Sequence, residues 1–158
     1  MFEHSGLLFQ VDPPITVAWV PADQVGDTIK AFGYYLIRGL NASDITLEEL
    51  INNLVSRNCF LGVAYEETPF KPMGIWVSDY RATDDGVSFV TVYALAGTAL
   101  PRWMPKIEAL VTTWGRRLGA GSVRFAGRAA YKSLVTNLNV ISRLEDGRVL
   151  VFEKRIAA

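Results

Sequence analysis

Few residues in this chain carry side chains that do chemistry, and their types limit it. There is one cysteine, Cys59, and one histidine, His4. A single thiol forms no intramolecular disulfide, and one thiol with one imidazole makes no Cys/His zinc site. Cys59 precedes the apolar run Phe60-Leu61-Gly62-Val63-Ala64 and reads as a buried structural thiol. Asp79, Asp84 and Asp85 sit near expected strand ends, where solvated turn carboxylates are the favoured reading over a general base. Arg116, Arg117, Arg124, Arg128 and Lys132 gather near one expected helix end and the strand that follows. Such a cluster complements a helix C-terminus, or else meets phosphates, an acidic protein surface or nucleic acid. Trp103 and Trp114 share one helix face and read as core. Trp76 alternates with Ile75 and Val77 and is expected to be exposed, as an interface anchor.

The elements that must position these groups belong to a chain of 158 residues, 50% hydrophobic and 20% charged. That is about one domain with a full core. Lys plus Arg is 16 and Asp plus Glu is 16, and the zero net charge argues against a general nucleic-acid or membrane-surface binder. The zero hides a polarity. Residues 1–101 hold five basic against twelve acidic side chains, and residues 102–158 hold eleven against four. Placed on opposite faces, these charges suit head-to-tail protein contacts; interleaved, they cancel locally. No apolar run approaches the ~20 residues that span a bilayer, and the N-terminus lacks a basic signal region, so a cytosolic setting is expected, in a cell or an infected host.

Residues 1–14 read as an arm, with Leu7, Leu8, Phe9 and Val11 able to add an edge strand before Pro13-Pro14. A single domain, 15–158, follows. Strands are expected at 15–20, 59–65, 73–80, 87–95, 122–125, 140–144 and 148–156. Helices are expected at 24–39, closed by Gly39, and at 46–57, opened by a Thr46/Glu49 capping box. A third, at 101–118, should turn Trp103, Ile107, Leu110, Trp114 and Leu118 to the sheet, and Tyr131, Leu134, Val135 and Leu138 mark a fourth. Residues 66–72 read as a turn with two prolines, and Glu145-Asp146-Gly147 as a hairpin. The class is three-layer α/β, with a mixed sheet of about seven strands and four helices. The strands at 87–95 and 122–126 should lie parallel.

This order resembles that of the GCN5-related N-acetyltransferase (GNAT) superfamily over about residues 12–156. The most specific piece is Trp114-Gly115-Arg116-Arg117-Leu118-Gly119 followed by Val123-Arg124-Phe125-Ala126-Gly127-Arg128-Ala129-Ala130-Tyr131. It is similar to short GNAT-like proteins of tailed phages and prophages, which carry a Trp-Ala-Arg-x-x-Gly helix end and a Gly-Arg-x-Gly-Trp turn. The resemblance implies that the parallel strands splay at their C-terminal ends. Catalytic members hold the coenzyme A pyrophosphate in a Gln/Arg-x-x-Gly-x-Gly/Ala loop. Here that place reads Gly97-Thr98-Ala99-Leu100-Pro101-Arg102-Trp103-Met104. One glycine remains, Pro101 lacks a backbone donor, and Arg102 stands in as a charge. Gly97, Thr98 and Arg102 are thus the residues the resemblance assigns to the cofactor. The family's thiolate-protonating Tyr falls near Val135, which donates nothing, and Tyr131 lies one turn earlier. No acid interrupts residues 87–95, where a base is expected.

These departures lead to an expected phage-type GNAT-fold protein with a degenerate acetyl-CoA site and no cofactor. It would be a non-catalytic virion or assembly component, in the virion or host cytoplasm. Its partners would be virion proteins or copies of itself, met through Trp76, Arg124 and Arg128. The alternative is an acyl-CoA-dependent N-acyltransferase with a divergent site and acetyl-CoA as cofactor.

Overall fold

Apolar stripes at helical spacing become helices on the two faces of one mixed sheet. The computed structural model describes residues 13–41, 45–127, 139–143 and 150–156. Its strands are β1 (Ile15–Trp19), β2 (Phe60–Glu67), β3 (Phe70–Ser78), β4 (Tyr80–Ala82), β5 (Ser88–Gly97), β6 (Ser122–Gly127), β7 (Asn139–Arg143) and β8 (Leu150–Arg155). Its helices are α1 (Val25–Leu40), entered through a 3-10 turn at Ala22–Gln24, α2 (Leu47–Val55) and α3 (Leu100–Arg117). The sheet order is β1-β2-β3-β5-β6-β8-β7, with β4 pairing on β5. Among the described residues β5 and β6 pair in parallel, and the other pairs are antiparallel. The expected arm up to residue 12, the fourth helix and the Glu145-Asp146-Gly147 turn lie outside the described residues.

Two apolar layers hold the sheet. On one face, Trp103, Met104, Ile107 and Val111 of α3 pack on Trp76, Val90, Val92, Phe125 and Phe152. On the other, Phe32 and Leu36 of α1 and Leu50 and Leu54 of α2 pack on Leu61, Val63, Ile75, Val77 and Tyr93. Central strands covered on both faces need apolar residues at every position, which is why β3 and β5 read as continuous apolar runs.

The capping box forms: the Glu49 N–H donates to Thr46 Oγ1 at 3.2 Å, and that hydroxyl reaches Glu49 Oε1 at 3.1 Å. Pro101 occupies the first turn of α3, where no donor is lost from the helix ladder. Gly119, at φ +77°, follows the helix end and takes the left-handed geometry that side chains resist.

Three expectations are corrected. Gly39 does not close α1, which runs on to Leu40; the glycine is instead a contact with β5. The turn expected over 66–72 is shorter, and Pro72 lies within β3 opposite Tyr65, beside a register shift that tolerates its missing N–H. Leu118 is 43% exposed, because it lies past the last turn of α3 that reaches the sheet.

Candidate functional site

The site is a place where two strands part. β5 and β6 stay in parallel register from Phe89↔Ser122 to Val92↔Phe125. Beyond that, β5 pairs with β3 through Ala96 and Gly97, while β6 follows β8 to Gly127. The divergence is set by a bulge in β5: Ala94 takes a left-handed φ of 50°, and the register against β3 shifts between Ile75 and Val77. The strands at 87–95 and 122–126 are therefore parallel neighbours that splay at their C-terminal ends, as expected. Tyr93, Ala94, Leu95 and Ala96, which follow the point of divergence, are all buried.

At the C-terminal end of β5 only Thr98 and Ala99 connect the strand to α3. The place of the pyrophosphate cradle, residues 97–104, spans this connection and the first turn of α3 and holds one glycine, Gly97. Three of the donors there are already engaged. The Thr98 N–H donates to the Met73 carbonyl at 2.8 Å, and the Arg102 N–H to the Ala99 carbonyl at 2.9 Å. The Trp103 indole N–H donates to the Thr98 carbonyl at 2.8 Å. The Thr98 hydroxyl shares a hydrogen bond with the Tyr35 hydroxyl at 3.2 Å. Ala99, at φ 56°, precedes the helix without a side-chain cap.

The three residues assigned to a cofactor have other tasks here. Gly97 is a close-approach glycine: a Cβ there would lie 2.4 Å from the Met73 carbonyl and 2.6 Å from the Trp103 ring. Arg102 points back toward the sheet edge. Its Nη2 donates to the Pro13 carbonyl at 2.6 Å and its Nη1 lies 3.8 Å from Glu66 Oε2. One turn on, Lys106 donates to the Ile15 carbonyl. The cations of the first two turns of α3 thus clasp β1.

On the opposite face of the sheet the structure assembles a polar group whose members are scattered along the sequence. Asp79 is buried rather than a solvated turn carboxylate. It accepts the Thr91 hydroxyl at 2.7 Å, and Arg81 at 3.1 Å from Nε and 3.0 Å from Nη2. The carboxylate holds the Arg81 guanidinium above its ordinary range. Cys59 and Tyr93 lie close to each other beside it. Burial pushes both the thiol and the phenol up, so both stay protonated at neutral pH. Asp79 supplies an acid beside β5, a strand that has none of its own over 87–95. The sequence marks Asp79 only as a carboxylate near a strand end, because its contact with Thr91 joins residues twelve apart through a register that only the sheet defines.

The interface residues are partly redrawn. Trp76 is 0% exposed, against the expectation of an exposed anchor. It lies in a strand covered on both faces, pressed on Gly62, where a Cβ would lie 2.2 Å from the indole. Trp103 and Ile107 face the sheet as expected, whereas Trp114 is only half-buried, against Trp19 at 5.1 Å and Phe60 at 5.5 Å. Arg124 is paired with Glu153 at 3.1 Å and lies over the Phe89 ring at 3.8 Å. Arg128, Tyr131, Lys132 and Val135 lie outside the described residues. Cys59 is a buried thiol. Among the described residues no group of His, Cys, Asp and Glu is placed to hold a metal, and no helix is long and apolar enough to cross a membrane.

The same architecture occurs in solved structures. FeeM, an N-acyl amino acid synthase from uncultured soil microbes, superposes with a TM-score of 0.65 over 92% of each chain, at 9% identity. The fold is GNAT-like. A chain of the NatC complex, solved bound to Gag peptide and CoA, gives 0.66 over 91% of this chain and 99% of its own, at 10% identity. A GNAT-family acetyltransferase from Staphylococcus aureus Mu50 gives 0.61 over 90% and 99%, also at 10% identity. No family model matches the sequence, and no curated protein matches it. The GNAT-like fold thus rests on architecture, with the parted strands at its centre.

Proposed function

We propose that this chain is a GNAT-fold protein that acts through protein contacts and does not turn over acyl-coenzyme A. The observation that carries the reading is the position of Arg102. This cation, in the first turn of α3, is committed to Glu66 and the Pro13 carbonyl. A two-residue connection and Pro101 leave the helix start poor in the backbone donors that hold a pyrophosphate. Residues 114–131 resemble short proteins of tailed phages and prophages. That resemblance supports a virion or assembly component as the setting, in the virion or host cytoplasm.

One observation favours a second reading, an acyl-CoA-dependent N-acyltransferase with a divergent site. The parted β5 and β6 and the bulge at Ala94 are retained, and solved relatives in fold are named as an N-acyl amino acid synthase and a GNAT-family acetyltransferase.

Calorimetric titration of the full chain with acetyl-CoA separates the two. The protein-contact reading expects no binding heat, and the same null for Arg102→Ala. A micromolar or tighter constant that Arg102→Ala weakens overturns it in favour of the transferase.

A further inference from the structure

β1 is an end strand of the sheet, and half of its main chain points outward. In an antiparallel ladder, alternate residues bond the neighbouring strand and the others point away. The Val20 N–H donates to the Leu61 carbonyl at 2.9 Å. With Thr16 opposite Tyr65 and Ala18 opposite Val63, this parity turns residues 16, 18 and 20 to β2. The N–H and C=O groups of Ile15, Val17 and Trp19 therefore point away from the sheet. Two cations show the same parity from outside: Arg102 takes the Pro13 carbonyl and Lys106 the Ile15 carbonyl. Natural sheets close such edges with prolines and cations. Here Pro13, Pro14, Arg102 and Lys106 close only the first part of β1. Among the described residues no strand or side chain takes the outward groups of Val17 and Trp19.

α3 flanks this open edge on the face that Val17 and Trp19 share. Lys106 reaches Ile15, and the Trp114 ring lies 5.1 Å from that of Trp19. Leu110, midway at four-residue spacing, is half-buried. The row matches a strand in pitch, since four helix residues rise about 6 Å and two strand residues about 7 Å. Its charges are of one sign. Arg102 and Lys106 stand at one end of α3, and Arg116 and Arg117 at the other. Glu108, the acid of α3, is held by Lys154 of β8, toward the other side of the sheet.

We propose that β1 takes an extended, acidic segment of a partner protein as an additional strand. The segment pairs its main chain with Val17 and Trp19, and its alternate side chains point to α3. Apolar side chains there meet Leu110 and Trp114, and acidic ones flanking them meet Lys106 and Arg117. The proposal rests on the protein-contact reading and gives the partner its chemistry. Unpaired main chain selects an extended segment, because a strand offers donors and acceptors at that repeat. The basic row of α3 selects an acidic one. Charge selects against a second copy, since pairing β1 with β1 brings another set of α3 cations against the first.

Fluorescence polarisation of the full chain with a labelled peptide, Thr-Glu-Thr-Val-Thr-Val-Thr-Glu-Thr, tests this. The pattern is the same in either strand direction. The peptide should bind at low salt and weaken at high salt, and its Lys-for-Glu counterpart should bind more weakly. N-methylation at both valines, which face Val17 and Trp19, should abolish binding. N-methylation at the threonine between them should not. Val17→Pro, checked by thermal melting to be folded, should lose binding, because it removes an outward N–H and none that β2 uses. Lys106→Glu should weaken binding. No binding at up to about 1 mM peptide and low salt overturns the proposal. So does binding that survives N-methylation at the valines or that a folded Val17→Pro leaves unchanged. A full chain that sediments as a dimer, and as a monomer in Val17→Pro, overturns it in favour of a second copy. Acetyl-CoA is titrated separately. A chain that binds neither ligand removes only the edge proposal, whereas a micromolar acetyl-CoA constant that Arg102→Ala weakens removes the reading it rests on.

Discussion

Gly39 of α1 lies against the Ala94 carbonyl of β5, so close that a Cβ on Gly39 would sit 2.1 Å from that oxygen. Ala94 is the left-handed residue of the bulge that parts β5 from β6. The helix therefore rests directly on the irregularity that shapes the candidate site. A glycine in the last turn of α1 allows that approach, and a side chain there must push the helix off the strand.

Gly39→Ala should destabilise the protein by about 2–3 kcal/mol, the range of overpacking a closed contact, even though alanine is the better helix former. Gly33 is its control. It lies in the same helix, and a Cβ added there would meet nothing within 4 Å, so Gly33→Ala should stabilise by up to about 1 kcal/mol. Urea titrations of both variants check this. Equal effects of the same sign would mean that the Gly39 contact is not a close one.

The two tryptophans of α3 should separate in the same assay. Trp103 is wholly buried and its indole N–H is bonded to Thr98. Trp103→Ala should cost about 3–5 kcal/mol. Trp114 keeps part of its ring in solvent and packs edge-on against Phe60, so Trp114→Ala should cost less, about 1–3 kcal/mol. A larger loss for Trp114 would place the weight of the α3 core at the wrong end.

What is legible in the sequence follows locality. The Thr46/Glu49 pair and the α3 stripe from Trp103 to Val111 are set by neighbours within a turn or two, and both form. The parallel β5/β6 pair is legible because a crossover helix constrains its own flanking strands. Trp76 misleads because alternation finds an outer face only where a sheet has one, and β3 is covered on both sides. Asp79 misleads for another reason. Its partner Thr91 lies in another strand, and no spacing along the chain announces it.

Stability should fall in alkali through Cys59 and Tyr93. Burial raises the thiol above its ordinary 9.0 and the phenol above its ordinary 10.0. The folded chain therefore keeps protons that the unfolded chain releases. Their stabilisation is complete below about pH 9 and is lost progressively as pH rises beyond it. The urea midpoint should hold between about pH 7 and 8.5 and drop by about pH 10.5. A folded Cys59→Ala/Tyr93→Phe variant should show a shallower drop. An unchanged alkaline slope in that variant would assign the loss to other groups.

The Asp79–Arg81 pair should behave as a partly buried pair, not a surface one. The Asp79 side chain is 12% exposed and Arg81 58%. Arg81→Met keeps the apolar stem but leaves a carboxylate with little water around it, so it should cost about 1–3 kcal/mol. Asp79→Asn should be milder. The amide oxygen still accepts the Thr91 hydroxyl, and the exposed guanidinium turns to solvent. Combining the two should then recover part of the Arg81→Met loss, because the carboxylate that needed a partner is gone. A double-mutant cycle by urea denaturation reads the coupling directly. An exposed pair would give less than about 1 kcal/mol. A coupling in that range would mean that the Thr91 hydroxyl and solvent alone satisfy Asp79, and that Arg81 is incidental to the order of the β3–β4 junction.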